Sequence, residues 1–187
     1  MQNQVNGQFL KRIRPKDATK SLVIMALLVA LGVICSMPFP TGLMIRVGTS
    51  LKFSLSYLVI ALAARKYGII SSAIVAGMID IMQSLISNVG PINPIILSAN
   101  ILTGILFGIF LHKKVSSFRI FLVVLITSVV CTMIITTMGI VLMYSTPLFP
   151  LIWFRLLQTV IMGIIEFITL YFLFVKADIL KRIKFID

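Results

Sequence analysis

The stretch PIILSANILTGILFGIFL (Pro94–Leu111), followed at once by His112, Lys113 and Lys114, decides the fold class. It holds no Asp, Glu, Lys or Arg, opens on a proline and closes on a basic cluster. A helix needs about 20 apolar residues to cross a bilayer, and proline is favoured in its first turn. Basic residues gather on the cytoplasmic side of such spans. This one stretch therefore reads as a transmembrane helix whose C-terminal end lies in the cytoplasm.

Working outward, the same signature recurs. Breaker residues and hydropathy predict a first helix over about Ser21–Ser36, ending at Met37-Pro38-Phe39-Pro40. A short second helix runs over about Leu51–Ala64, bounded by Arg65 and Lys66, and a third covers about Ile69–Ile86, before Asn88 and Pro91. Beyond the quoted stretch, a fifth spans about Phe118–Met143, and a sixth starts after Pro147 and Pro150 and runs to about Val175. The stretch 37–50 either dips against the protein or crosses obliquely, because the second helix is short for a span. The predicted organisation is an all-α integral membrane bundle of six helices (21–175), with basic tails at 1–20 and 176–187.

Charge distribution supports this division. With both termini inside, the inner segments hold Lys11, Arg12, Arg14, Lys16, Lys20, Arg65, Lys66, Lys113, Lys114, Arg119, Lys176, Lys181, Arg182 and Lys184, fourteen of the seventeen basic residues. Only Arg46, Lys52 and Arg155 fall outside. The composition agrees: 187 residues, 59% hydrophobic and 12% charged, mean hydropathy +1.12, where soluble domains carry roughly 25% charged residues. The net charge of +12 is spread between apolar runs and tails, so it orients helices and does not form a phosphate-tracking surface.

Function is sought in the polar residues that a bilayer should exclude, since ionisable groups inside spans are costly and usually face the bundle interior. Asp80 lies in the third helix, with Gln83 and Ser84 one turn on. Arg155 and Gln158 open the sixth helix, near Trp153, and Glu166 lies at its middle. Arg46 precedes the second helix and Lys52 opens it; Asn93 and Asn100 flank the start of the fourth. These residues suit a pocket open to the outside that takes an anionic solute with hydrogen-bonding groups, because a guanidinium binds a carboxylate through two parallel bonds. The alternative is that Asp80 pairs with Lys52 or Arg155 as structural ion pairs. For Glu166, helix packing or cation pairing stands beside a role in the pocket.

Two small-residue motifs complete the pattern. Ala26 and Ala30 share a face of the first helix, and Gly104 and Gly108 share one of the fourth; such spacing allows close helix approach. Internal packing suits the glycines, while for the alanines a partner protein is equally open. Other chemistry has no candidates. No phosphate-binding lysine loop is present, His112 has no second strong metal ligand, and no serine or cysteine has a histidine base. Cys35 and Cys131 form no disulfide or metal pattern. Neither enzyme activity nor a cofactor is expected.

Several segments, in order, resemble a known family. Leu51-Lys52-Phe53-Ser54-Leu55-Ser56-Tyr57 through Gly68, then Ala76-Gly77-Met78-Ile79-Asp80, then Leu97-Ser98-Ala99 through Thr103-Gly104 and Gly108, are similar to helices of the substrate-binding S components of energy-coupling factor (ECF) vitamin transporters. The last helix, from Arg155-Leu156-Leu157-Gln158 to Glu166 and Tyr171-Phe172-Leu173, is similar to the folate-type branch. The resemblance implies a six-helix binding subunit that captures a vitamin, folate first and pantothenate or another small vitamin as the alternative. It implies the transmembrane coupling protein EcfT and two ATPase subunits as partners, with Ala26 and Ala30 facing EcfT. A membrane protein with a purely structural role is the reading from another class.

Overall fold

The computed structural model describes residues 15–38, 44–47, 51–87, 93–112, 115–144 and 148–176. Among them the chain is helical apart from one small hairpin and an isolated bridge. Helix α1 (Pro15–Ser36) leads to strands β1 (Ile45–Val47) and β2 (Leu51–Phe53), then to α2 (Ser56–Tyr67), α3 (Ile69–Ser87) and α4 (Pro94–Leu111). The next rod is α5 (Ser117–Ile126), a π-helical stretch (Thr127–Thr136) and α6 (Thr137–Tyr144) in succession; α7 (Leu148–Tyr171) follows and closes on a second π-helical turn (Phe172–Lys176).

Five of these rods are long and apolar enough to cross a membrane: Thr19–Ser36, Ile69–Ile86, Pro94–Leu111, Ser117–Leu142 and Arg155–Val175. The expected second helix departs from the sequence reading. Leu51–Phe53 is a strand, paired antiparallel with Ile45–Val47 in the register Ile45↔Phe53, Arg46↔Lys52, Val47↔Leu51. The helix starts only at Ser56 and has 12 residues, about 18 Å of rise. The physical reason lies in the sequence: Ile45-Arg46-Val47 and Leu51-Lys52-Phe53 both alternate apolar–polar–apolar around Gly48-Thr49-Ser50, a hairpin pattern and not a helical one. The stretch 37–50 falls partly outside the described residues, as do 1–14 and 177–187. Two boundaries also shift. Pro15 through Lys20 already belong to α1, and Pro150 sits inside the first turn of α7, where its missing N–H forfeits no intrahelical bond.

The core is built where α2, α3 and α4 meet. Gly68 (φ 89°) lets the chain reverse between α2 and α3 through a conformation that costs a side-chained residue dearly. Beside that turn, Arg65 donates to the carbonyls of Leu111 and His112 (3.1 and 2.9 Å), so α2 caps the exposed end of α4. Between α3 and α4, Gly104 and Gly108 allow backbone-to-backbone approach. A Cβ on Gly104 would lie 2.5 Å from the Ser72 carbonyl oxygen, and one on Gly108 would press on the Ile69 backbone. Ser72 Oγ uses that proximity to donate to the Gly104 carbonyl at 2.7 Å. Val59, Ala61, Ala63, Val75, Ala76, Phe107 and Leu111 fill the interior around this seam.

Outward, the bundle presents large apolar side chains where a soluble protein would present charge: Leu27, Ile70, Phe118, Leu142, Leu157 and Ile168 are all exposed. With no water-facing layer over them, hydrocarbon is the solvent that satisfies this surface.

Candidate functional site

One face of α7 carries Arg155, Gln158, Thr159, Met162 and Glu166, spaced i, i+3, i+4, i+7 and i+11. At about 100° per residue these positions form a single stripe. The stripe lines a cavity of about 230 Å³. Asp80 and Gln83 of α3 and Asn100 and Thr103 of α4 form further wall, and Met44, Ser54, Ser56 and Tyr57 complete it from the hairpin side.

The remaining wall comes from the π-helical stretch, through Thr127, Ser128, Thr132 and Thr136. Its geometry explains how these residues converge. In an α-helix Thr127 and Thr136, nine residues apart, would sit on opposite faces. A π-helix, with about 4.4 residues per turn, brings positions four or five apart onto one face. The hydroxyls report the same winding: Thr136 Oγ1 donates to the Cys131 carbonyl five residues back, at 2.8 Å.

The electrostatics of the cavity are uneven. Arg155 is only 3% exposed, and its Nε and Nη2 have no hydrogen-bond partner among the described residues. Leaving a buried charge uncompensated is among the costlier arrangements in a fold. Asp80 is engaged differently: its Oδ1 accepts from Asn100 Nδ2 at 2.8 Å, and Ser84 Oγ donates to its backbone carbonyl. Of the two expected ion pairs, Asp80–Arg155 is not what the guanidinium makes, and Asp80–Lys52 rests on a side chain outside the described residues. Gln83 Nε2 approaches Met44 Sδ at 3.9 Å.

Of the residues singled out in the sequence, Asp80, Gln83, Asn100, Arg155 and Gln158 come together on the cavity wall. Asn93 does not. It is buried and works as the N-cap of α4, accepting from the Ile95 and Ile96 amides (2.9 and 3.4 Å) while donating to the Gly139 carbonyl at 2.8 Å. Trp153 does not either; it is 67% exposed and away from the lining. For Arg46 and Lys52 the backbone register makes them cross-strand partners, and their side chains lie outside the described residues. Glu166, left open between packing and pocket, is on the lining. The hydroxyl belt was missed altogether, and α-helical spacing conceals it. Among the described residues no group of three His, Cys, Asp or Glu could hold a metal.

A second groove, of about 340 Å³, opens between α5 and α7 and is lined by Phe121, Val124, Leu125, Val129, Val160, Ile164 and Phe167. Its walls are almost wholly apolar, so it faces the hydrocarbon rather than a polar solute.

Residues 20–176 match the family described as ECF transporter, substrate-specific component. The chain belongs to that family. ECF substrate-specific components are membrane-embedded binding subunits of transporters and not an enzyme class, which agrees with the apolar exterior and the polar cavity. A solved structure described as FolT bound with folic acid is similar to this chain, with a TM-score of 0.75 and 28% identity, covering 83% of this chain and 92% of that one. No curated protein matches the chain.

Proposed function

We propose that this ECF substrate-specific component binds folate, with Arg155 taking a glutamate carboxylate of the ligand. The observation that carries the reading is the buried guanidinium of Arg155, unpartnered at Nε and Nη2, on the wall of a polar cavity. Those two nitrogens lie side by side on the fork that meets a carboxylate through two parallel bonds. An anion supplied from solution would complete a site that the described residues leave incomplete. Gln158, one turn along α7, and Asp80 with Asn100 across the cavity add further amide and carboxylate groups along the cavity wall. The likeness to the folate-bound FolT structure supports the same choice of ligand.

The cavity is slightly smaller than the ~300 Å³ at which ordinary ligand pockets begin. A ligand as long as folate would reach beyond it at the Arg155 end, toward the hairpin, where Arg46 and Lys52 are placed opposite one another. The same small volume favours a second reading in which the carboxylate belongs to a shorter vitamin such as pantothenate.

The subunit would sit in a bacterial cell membrane with both termini in the cytoplasm, the orientation that puts fourteen of seventeen basic residues inside. It would work with EcfT and two ATPases. Ala26 and Ala30 are exposed on α1, leaving a small-residue face for a helix of the coupling protein. Calorimetry on the purified protein in detergent tests the ligand directly; Trp153 lies off the cavity, so its fluorescence is a poor reporter. Saturable one-to-one binding of folate supports the proposal. Binding of pantothenate in its place keeps the transporter role and changes the vitamin, and silence across a vitamin panel on folded protein returns the chain to a structural role.

A further inference from the structure

The stripe on α7 has two charged ends. Glu166 lies eleven residues beyond Arg155, about 16 Å along the axis at ~1.5 Å per residue, and both line the same cavity. The Glu166 carboxylate makes no hydrogen bond or ion pair with any described residue. A carboxylate inside a membrane span, like the buried guanidinium, calls for a partner.

The hydroxyls of the cavity state what kind of partner it must be. Thr103 donates to the Ala99 carbonyl, Thr127 to Val123 and Val124, Thr136 to Cys131 and Thr159 to Arg155. Tyr57 donates to Thr169 Oγ1 at 3.3 Å. Each of these groups has spent its only proton within the fold, so it shows the cavity lone pairs alone. At these positions the cavity wall offers acceptors, which a ligand's donors would meet.

We propose that Glu166 determines specificity, accepting two parallel N–H bonds from a ring that carries an exocyclic amino group beside a ring N–H, the aminopyrimidinone edge of a pterin. A carboxylate matches that edge as a guanidinium matches a carboxylate. The ligand is then held at both ends of one helix face, its anion at Arg155 and its donor edge at Glu166. This rests on the folate reading and adds the direction in which the ligand lies.

The test compares three ligands by calorimetry: folate, 2-desaminofolate, and p-aminobenzoylglutamate, which lacks the ring. Glu166→Gln offers one acceptor and one donor where the carboxylate offers two acceptors. It should weaken folate about 10- to 100-fold and leave p-aminobenzoylglutamate within about twofold. Glu166→Asp should recover part of the loss. In the unmodified protein, 2-desaminofolate should bind about 10-fold or more weaker than folate, and Glu166→Gln should shrink that gap. Equal loss for all three ligands marks a packing role for Glu166 and overturns the inference. Should Glu166→Gln fail to fold, equal binding of folate and 2-desaminofolate by the unmodified protein overturns it alone. If the unmodified protein binds no folate, the inference falls together with the proposed ligand; if folate binds but none of these differences appears, only the inference falls.

Discussion

Replacing Arg155 with alanine should separate binding from stability, because the two respond in opposite directions. In the unliganded protein the guanidinium is 3% exposed, with Nε and Nη2 unpartnered among the described residues. Removing an uncompensated buried charge relieves a penalty, whereas removing one member of a satisfied pair would be strongly destabilising. Arg155→Ala should therefore leave the melting temperature in detergent unchanged or raise it. With ligand bound, the same truncation strands a desolvated carboxylate, which costs about 2–5 kcal/mol and raises Kd about 30- to 5,000-fold. Arg155→Lys keeps the charge without the fork and should fall between the two. Calorimetry and thermal melts on the same preparations measure both effects. A fall in melting temperature with affinity unchanged would refute the reasoning, since it would mean that the guanidinium serves the fold and not a ligand.

Three further substitutions probe other parts of the molecule. Asn93→Ala should cost about 0.5–2 kcal/mol of stability through loss of the α4 cap, with ligand affinity unaltered; a matched pair of melting and binding curves decides it. Gly104→Ala drives a methyl group into the Ser72 carbonyl and should destabilise by about 1–3 kcal/mol, read as a lower melting temperature. Ala26→Trp or Ala30→Trp, on the exposed face of α1, should abolish vitamin uptake in cells while calorimetric binding stays normal; loss of both would assign these alanines to the fold.

The spans were legible in the sequence because membrane helices declare themselves by length and by their flanks. Pro94 and the cluster after Leu111 mark α4 at both ends, and Arg65-Lys66 with Gly68 mark the turn between α2 and α3. The hairpin was hidden because hydropathy averages over a window longer than a three-residue strand, so Leu51–Phe53 was absorbed into the helix that follows. For Asn93 the signal was present and outweighed: an asparagine directly before a first-turn proline is a cap signature before it is a binding group. Trp153 and Arg155 are two residues apart, about 200° around a helix, and so cannot both face one cavity; the structure buries the arginine and exposes the tryptophan.

The threonines expose a more general limit. Thr127, Ser128, Thr132 and Thr136 lie in an apolar run in which every position is compatible with lipid, and α-helical spacing scatters them around the rod. Only a change of winding, from i−4 to i−5 hydrogen bonding, gathers them on one wall. Once gathered, the hydroxyls that bond back to backbone carbonyls acquire a shared polarity that no single threonine possesses. At Thr127 and Thr136 the donor is consumed and acceptor lone pairs remain. Arg155 then stands out as a donor of another kind, charged and unspent. On the proposed reading, a ligand that satisfies both carries an acceptor anion at one end and donors at the other. Few small anions meet that requirement, and a carboxylate-bearing pterin is among those that do.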